Sequence, residues 1–148
     1  MRIKIIGEAG QGIKTLSLIL GNIFAELNKR VSISINYGTN VRSGIITTDL
    51  IYSQDKIKNP KIITPDLLVT LANGDNIKYD GPRISHQDID FELLSFQNFK
   101  KTRFANMIAL GKLLKFLDID LEDISWDDKI PKKYYDKNMK SIKIGYAL

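Results

Sequence analysis

Six residues near the start of the chain, Gly7-Glu8-Ala9-Gly10-Gln11-Gly12, followed by Lys14-Thr15, have the types and spacing closest to a binding chemistry. A glycine-rich turn leading into a helix presents backbone N–H groups and the positive helix end to an anion. Two phosphate-binding patterns are close to this one, and it departs from both. A dinucleotide fingerprint, G-x-G-x-x-G, needs a glycine at position 9, where the pyrophosphate approaches the backbone, and Ala9 stands there. A Walker loop, G-x-x-x-x-G-K-[ST], puts lysine directly after the second glycine, but Ile13 intervenes. One inserted residue turns Lys14 by about 100° around a helix, away from the phosphates such a loop would cradle. The favoured reading is therefore a tight strand-to-helix turn that meets a neighbouring surface. A small P-loop-like or Rossmann nucleotide-binding protein is the alternative.

The other reactive residue types are scarce. The sequence has no cysteine, which excludes disulfides, thiolate-held zinc and cysteine-held iron–sulfur clusters within it. His86 is the single histidine, so a Ser-His-Asp triad is not supported and a multi-histidine metal site is excluded; His86 reads as a surface loop residue. No catalytic or metal-ligating residue is assigned.

Twenty-two Lys and Arg against 17 Asp and Glu give a formal net charge of +5, which favours acidic partners. The skew concentrates between Lys129 and Lys143, where six lysines face only Asp136. This stretch reads as a solvated or interface surface, and a nucleic-acid partner is disfavoured. Trp126 and Tyr134-Tyr135 are equally readable as packing residues or as interface anchors.

The elements that must position these residues follow from periodicity. Arg2–Ile6 is a short β-prone run ending at glycine, and Ile13 to about Lys29 repeats apolar residues near the helical period. Val31–Asn36 alternates apolar and polar residues as a second strand, completing a strand–helix–strand unit with a right-handed crossover. Tyr37–Gly44 is a loop, Ile45–Tyr52 a third strand, and Leu67–Leu71 an apolar run suited to an interior parallel strand. Asn73 to about Lys101 reads mostly as loop with short elements. A helix is expected over about Arg103–Leu117, with Gly111 permitting close approach to a neighbour, and another near Asp136–Tyr146. The expected fold is α/β: a three-layer, mostly parallel, Rossmann-like sheet with flanking helices, in a single domain spanning 1–148. At 148 residues and 43% hydrophobic, the chain is long enough for one core. The absence of any apolar run of roughly 18 residues or of a secretion signal points to a soluble, cytoplasmic protein with no membrane partner.

In order along the chain, Gly7-x-Ala9-Gly10-Gln11-Gly12-Ile13-x-Thr15, Tyr37-Gly38, Arg42-x-Gly44, Ile57-x-x-Pro60 and Pro65-Asp66-Leu67-Leu68-Val69 resemble the gamma domain of the pyruvate, ketoisovalerate, 2-oxoglutarate and indolepyruvate:ferredoxin oxidoreductases. Asn106-Met107-Ile108-Ala109-Leu110-Gly111, Asn138 and Gly145 are similar to that domain's C-terminal helical part. The sequence departs from the usual family pattern at Ala9, Asn40 and Ser43, and its region after Leu71 is shorter than usual.

The resemblance implies a gamma-type subunit of a 2-oxoacid:ferredoxin oxidoreductase. Such enzymes oxidatively decarboxylate a 2-oxoacid, transfer the acyl unit to coenzyme A and pass electrons to ferredoxin. This chain would support assembly without its own cofactor. Thiamine diphosphate, iron–sulfur clusters and coenzyme A would belong to partner subunits, namely alpha and beta, with a delta, ferredoxin-like subunit as a further candidate. Gly10, Gln11, Gly12, Tyr37, Gly38, Arg42 and Gly44 become candidates for subunit-interface or coenzyme A-proximal positions. Gln11 could hydrogen-bond across a subunit boundary or cap local backbone groups. Arg42 could pair with a partner carboxylate or a coenzyme A phosphate, or form an internal salt bridge.

Overall fold

The structure is a computed structural model that describes residues 1–38, 44–72 and 77–148. The chain divides into two compact units, Met1–Ile89 and Asp90–Leu148. No helix among the described residues is long and apolar enough to cross a membrane.

The described residues of the first unit form one sheet and one helix. Strands β1 (Arg2–Glu8), β2 (Arg30–Tyr37), β3 (Ile45–Ser53), β4 (Leu67–Thr70) and β5 (Arg83–Ser85) lie in the order β2-β3-β1-β4-β5. The β1–β4 and β4–β5 pairs are parallel, while β3 runs antiparallel to both β1 and β2. Four of the five strands therefore share one direction, as the α/β reading expects. β1 and β2 are parallel, but β3 sits between them, so the expected strand–helix–strand unit is split.

Helix α1 (Ile13–Glu26) covers the sheet face that carries Ile3, Ile5, Val31, Ile33 and Leu50. Its Gly21 lies against the side chains of Ile33 and Val31, and its Phe24 stacks on Tyr52 of β3 with ring centroids 3.9 Å apart. Ile3, Ile5, Leu16, Leu20, Ile23 and Leu50 are fully buried, so the period-2 strands and the period-3.6 helix meet in one apolar layer. The start of β4 is tied to the start of β1 by Asp66. Its carboxylate accepts from the Arg2 N–H at 2.7 Å and pairs with the Arg2 guanidinium at 2.9 Å, and the Asp66 N–H returns a bond to the Arg2 carbonyl at 2.8 Å.

The second unit is helical: α2 (Phe91–Phe99), α3 (Ala105–Phe116), a short 3-10 turn at Leu121–Asp123 and α4 (Tyr135–Tyr146). Asp90 caps α2 by accepting from the Leu93 N–H at 2.9 Å. Helices α3 and α4 pack through two glycines. A methyl group on Gly111 would collide with the Ile142 carbonyl oxygen and lie 2.8 Å from the Tyr146 nitrogen; one on Gly145 would collide with the Ile108 carbonyl oxygen. The neighbour anticipated for Gly111 is thus α4, and the contact is reciprocal. Trp126 is a packing residue, buried with its indole N–H donating to the Leu121 carbonyl at 3.0 Å.

Two elements lie where mostly loop is expected. β5 has three residues, too few to show a period. α2 reads FELLSFQNF and buries only Phe91 and Ser95, so it presents no continuous apolar stripe.

Candidate functional site

The glycine segment folds as two linked turns at the carboxyl end of β1. Glu8 to Gln11 form a four-residue turn closed by the Gln11 N–H donating to the Glu8 carbonyl at 3.1 Å. Gly10, third in that turn, has φ 92°, the left-handed conformation that a type II turn requires at this place and that favours glycine. Gly12, φ 76°, then starts α1 with no side-chain cap. Gly7 leaves room for two side chains: a methyl group there would strike Ile13 and come within 2.9 Å of the Gln11 side-chain oxygen, so both would have to shift.

Gln11 sits above Gly7 and ties the turn to the sheet. Its Oε1 accepts from the Glu8 N–H at 2.8 Å, and its Nε2 donates to the Leu71 carbonyl just beyond β4 at 3.0 Å. The Ala9 N–H donates to the Gly44 carbonyl at 2.7 Å. Three amides of the turn, those of Glu8, Ala9 and Gln11, are therefore committed to acceptors within the chain. A phosphate cradle works by turning such amides toward a common centre. Lys14 is exposed in the first turn of α1, which carries no acidic residue.

The other candidates gather at the same end of the sheet. Tyr37 ends β2 and is 64% exposed. The Gly38 N–H donates to the Ile45 carbonyl at 3.0 Å, and Gly44, φ 59°, leads into β3. The Ala9–Gly44 bond joins this corner to the glycine turn, so Gly10, Gln11, Gly12, Tyr37, Gly38 and Gly44 share one edge. Arg42 lies outside the described residues. His86 follows β5 at the same edge, with its N–H bonded to the Thr70 carbonyl at 2.9 Å. It lies in a turn, as the loop expectation has it, but is half-buried, and its Nδ1 is enclosed without a hydrogen-bond partner among the described residues. This is the carboxyl edge of the parallel strands, where open α/β sheets place their contacts.

The sheet face opposite α1 holds a feature that periodicity alone did not single out. Register aligns Ser34, Asp49 and Lys4 across β2, β3 and β1. Asp49, with a side chain only 4% exposed, pairs with the Lys4 ammonium at 2.8 Å and accepts from the Ile62 N–H at 2.9 Å. Beside the pair is an open cleft of about 410 Å³, lined also by Asn36, Thr47 and Lys61. The signal was available in principle: Thr47, Asp49 and Ile51 alternate onto one face of β3. Asp49 is neutralised in place, which removes it from the role of a metal-holding carboxylate. Among the described residues no three His, Asp or Glu side chains gather as a metal site. Near the start of β1 the Asp66 carboxyl is held below the ordinary range, chiefly by its hydrogen bond from the Arg2 side chain.

Residues 2–78, which include β1 to β4, α1 and the turn just described, match the sequence signature of the pyruvate ferredoxin/flavodoxin oxidoreductase family. The chain belongs to this family. It is 29% identical to the 2-oxoglutarate synthase subunit KorC of Archaeoglobus fulgidus, over the whole of this chain and 87% of that one. It is 26% identical to KorC of Methanocaldococcus jannaschii over 99% of this chain and 92% of that one. The fold matches the gamma subunit of a keto/oxoacid ferredoxin oxidoreductase from Geobacter sulfurreducens, with TM-score 0.74, 17% identity and 99% and 96% of the two chains covered. It also matches the pyruvate oxidoreductase subunit PORC of Thermotoga maritima, with TM-score 0.72, 18% identity and 99% and 95% covered.

Within the oxidoreductase family pattern, the departure at Ala9 has a local explanation. Ala9 is second in the Glu8–Gln11 turn, a position that does not demand a positive φ, and it has none. Gly10 and Gly12, which do need the left-handed conformation, are retained.

Proposed function

We propose that the chain acts as the gamma-type subunit of a 2-oxoacid:ferredoxin oxidoreductase, and that the edge formed by Gly10–Gly12, Tyr37, Gly38 and Gly44 is a docking contour for a partner subunit. The supporting observation is the self-satisfied turn: the backbone amides of Glu8, Ala9 and Gln11 donate to the Gln11 side chain, the Gly44 carbonyl and the Glu8 carbonyl, and the Gln11 side-chain amide donates to the Leu71 carbonyl, which favours a shaped surface over an anion cradle. Tyr37, exposed at the corner, supplies the kind of aromatic anchor that partner surfaces enclose.

In this reading the chain works in the cytoplasm beside alpha and beta subunits, with a delta, ferredoxin-like subunit as a further neighbour. Those partners hold thiamine diphosphate and the iron–sulfur clusters; for the clusters this cysteine-free sequence has no thiolate ligand. Its contribution to decarboxylation, acyl transfer to coenzyme A and electron delivery is positional. Arg42, between Tyr37 and Gly44 in sequence, is the candidate for a partner carboxylate or a coenzyme A phosphate.

The test compares the chain alone and assembled. Calorimetric titration of the isolated chain with ATP, NAD and thiamine diphosphate should give no saturable heat. Amide exchange at Gly10–Gly12 and Tyr37–Gly38 should slow on addition of the partner subunits. Saturable ATP binding that disappears in Lys14→Ala would sink the docking interpretation and restore a nucleotide site.

A further inference from the structure

The helical unit carries a concentration of positive charge around one strained aromatic residue. Tyr134, immediately before α4, has φ 62°, a left-handed conformation that costs a bulky side chain roughly 1–2 kcal/mol. The residue is nevertheless 42% exposed, so burial does little to offset that cost. Three cations approach the ring: the Arg103 guanidinium at 5.3 Å, the Lys133 ammonium at 5.4 Å and the Lys137 ammonium at 5.9 Å from its centroid. The ring is held from below by the buried Phe104, edge-on at 5.9 Å, which in turn packs against Phe99, where Lys140 sits 5.8 Å from the ring.

These four cations are exposed, and among the described residues none of them forms an ion pair. Arg103, Lys133 and Lys137 share one ring, which keeps them within about a Debye length of one another, where like charges repel unless an anion is brought in. An exposed cation–π contact contributes only about 0.5–1 kcal/mol, too little to make the cluster self-sufficient. Strain, exposure and unpaired charge thus coincide at one spot, and a partner with carboxylates would relieve the charge while covering the ring.

The geometry points to a docking surface centred on Tyr134 for the acidic face of another protein subunit, with carboxylates meeting Arg103, Lys133 and Lys137. A protein fits better than a nucleic acid for two reasons. The same helical unit carries six acids and no base over 118–128, which repels an extended polyanion. The tyrosine ring is already approached by cations that restrict base stacking, whereas tyrosine and arginine together are what protein interfaces enclose at their energetic centres. The inference rests on membership in a multi-subunit enzyme family, but not on the role given to the glycine turn.

The test uses the assembled complex. Carbodiimide coupling, which joins lysine amines directly to carboxylates, should link Lys133, Lys137 or Lys140 to Asp or Glu of a partner subunit. In dissociation measurements, Tyr134→Gly keeps the left-handed backbone without strain and removes the ring, and should weaken the partner by roughly tenfold or more. Lys133→Glu with Lys137→Glu should slow association and flatten its salt dependence. Three results would overturn the proposal: links confined to this chain, lysines as open to acetylation in the complex as in the free chain, or unchanged affinity and salt slope in both variants. Comparable binding of a mixed-sequence single-stranded oligonucleotide, lost in the charge-reversed variant, would assign the patch to polyanions and also overturn it. If the complex assembles normally while the patch stays open, only this inference fails; if no complex forms, the proposed function fails first.

Discussion

Replacing Gly111 by alanine sets two effects against each other. In an isolated helix the change stabilises by about 1 kcal/mol, because glycine is the poorer helix former. In α3 the added methyl group meets the Ile142 carbonyl oxygen, with the Tyr146 nitrogen at 2.8 Å and the Ile142 carbonyl carbon at 2.9 Å. All three obstacles are backbone atoms of α4, so rotamer changes cannot relieve the clash and the helices must separate by about 1 Å. A gap of that size forfeits a quarter to a half of each dispersion contact across the seam. Overpacking of this kind costs about 1–3 kcal/mol or more, and a backbone obstacle puts it at the upper end. The net expectation is a loss of about 2 kcal/mol, or roughly 4–8 °C in Tm for a chain of this length. Gly145→Ala meets the Ile108 carbonyl across the same seam, and a single separation relieves both clashes. The double variant should therefore lose less than the sum of the singles. Urea unfolding of the full chain, followed by circular dichroism, measures both quantities, with Asn22→Ala on the exposed side of α1 as the propensity control. A Gly111→Ala chain more stable than the parent, or strictly additive losses, would refute the close-packed seam.

Three further outcomes follow from the sheet unit. Gln11→Ala leaves the Glu8 N–H and Leu71 carbonyl without the partners they now have, and should cost about 1–3 kcal/mol by denaturant unfolding; Gln11→Glu, which can accept but not donate, should fall between alanine and the parent. Lys4→Met strands the buried Asp49 carboxylate and should cost about 3 kcal/mol, most of it recovered by adding Asp49→Asn, which can still accept from Ile62. The Asp66 carboxyl is depressed in the folded chain, so its contribution is present above the ordinary Asp pKa of about 4 and lost as pH falls through the lower folded value. The parent should therefore lose stability relative to Asp66→Asn below about pH 4, and identical acid limbs for the two chains would contradict the Arg2–Asp66 clamp.

The strands with clean patterns were legible. Val31, Ile33 and Ile35 alternate in β2, Leu67 to Thr70 form the short buried run of β4, and α1 repeats its apolar residues at the helical period. Which strands pair was not legible, because hydrophobic period fixes the face a residue occupies and says nothing of its lateral neighbour; β3 thus entered between β1 and β2 unannounced. At the candidate site, the glycine turn was readable from departures at Ala9 and Ile13. The destination of the Gln11 amide was not, since Leu71 lies 60 residues away in sequence and is brought close only by the parallel β1–β4 pair. The Lys4–Asp49 pair was hidden for the same reason, and the left-handed backbone of Tyr134 has no sequence signal, because tyrosine rarely adopts it.

The central claim is tested most directly by purifying this chain at native abundance from its own cells and identifying what accompanies it. The account predicts larger subunits carrying thiamine diphosphate and iron–sulfur clusters, with 2-oxoacid-dependent ferredoxin reduction in the same fraction. Recovery of the chain alone, turning over a substrate without those subunits, would contradict it.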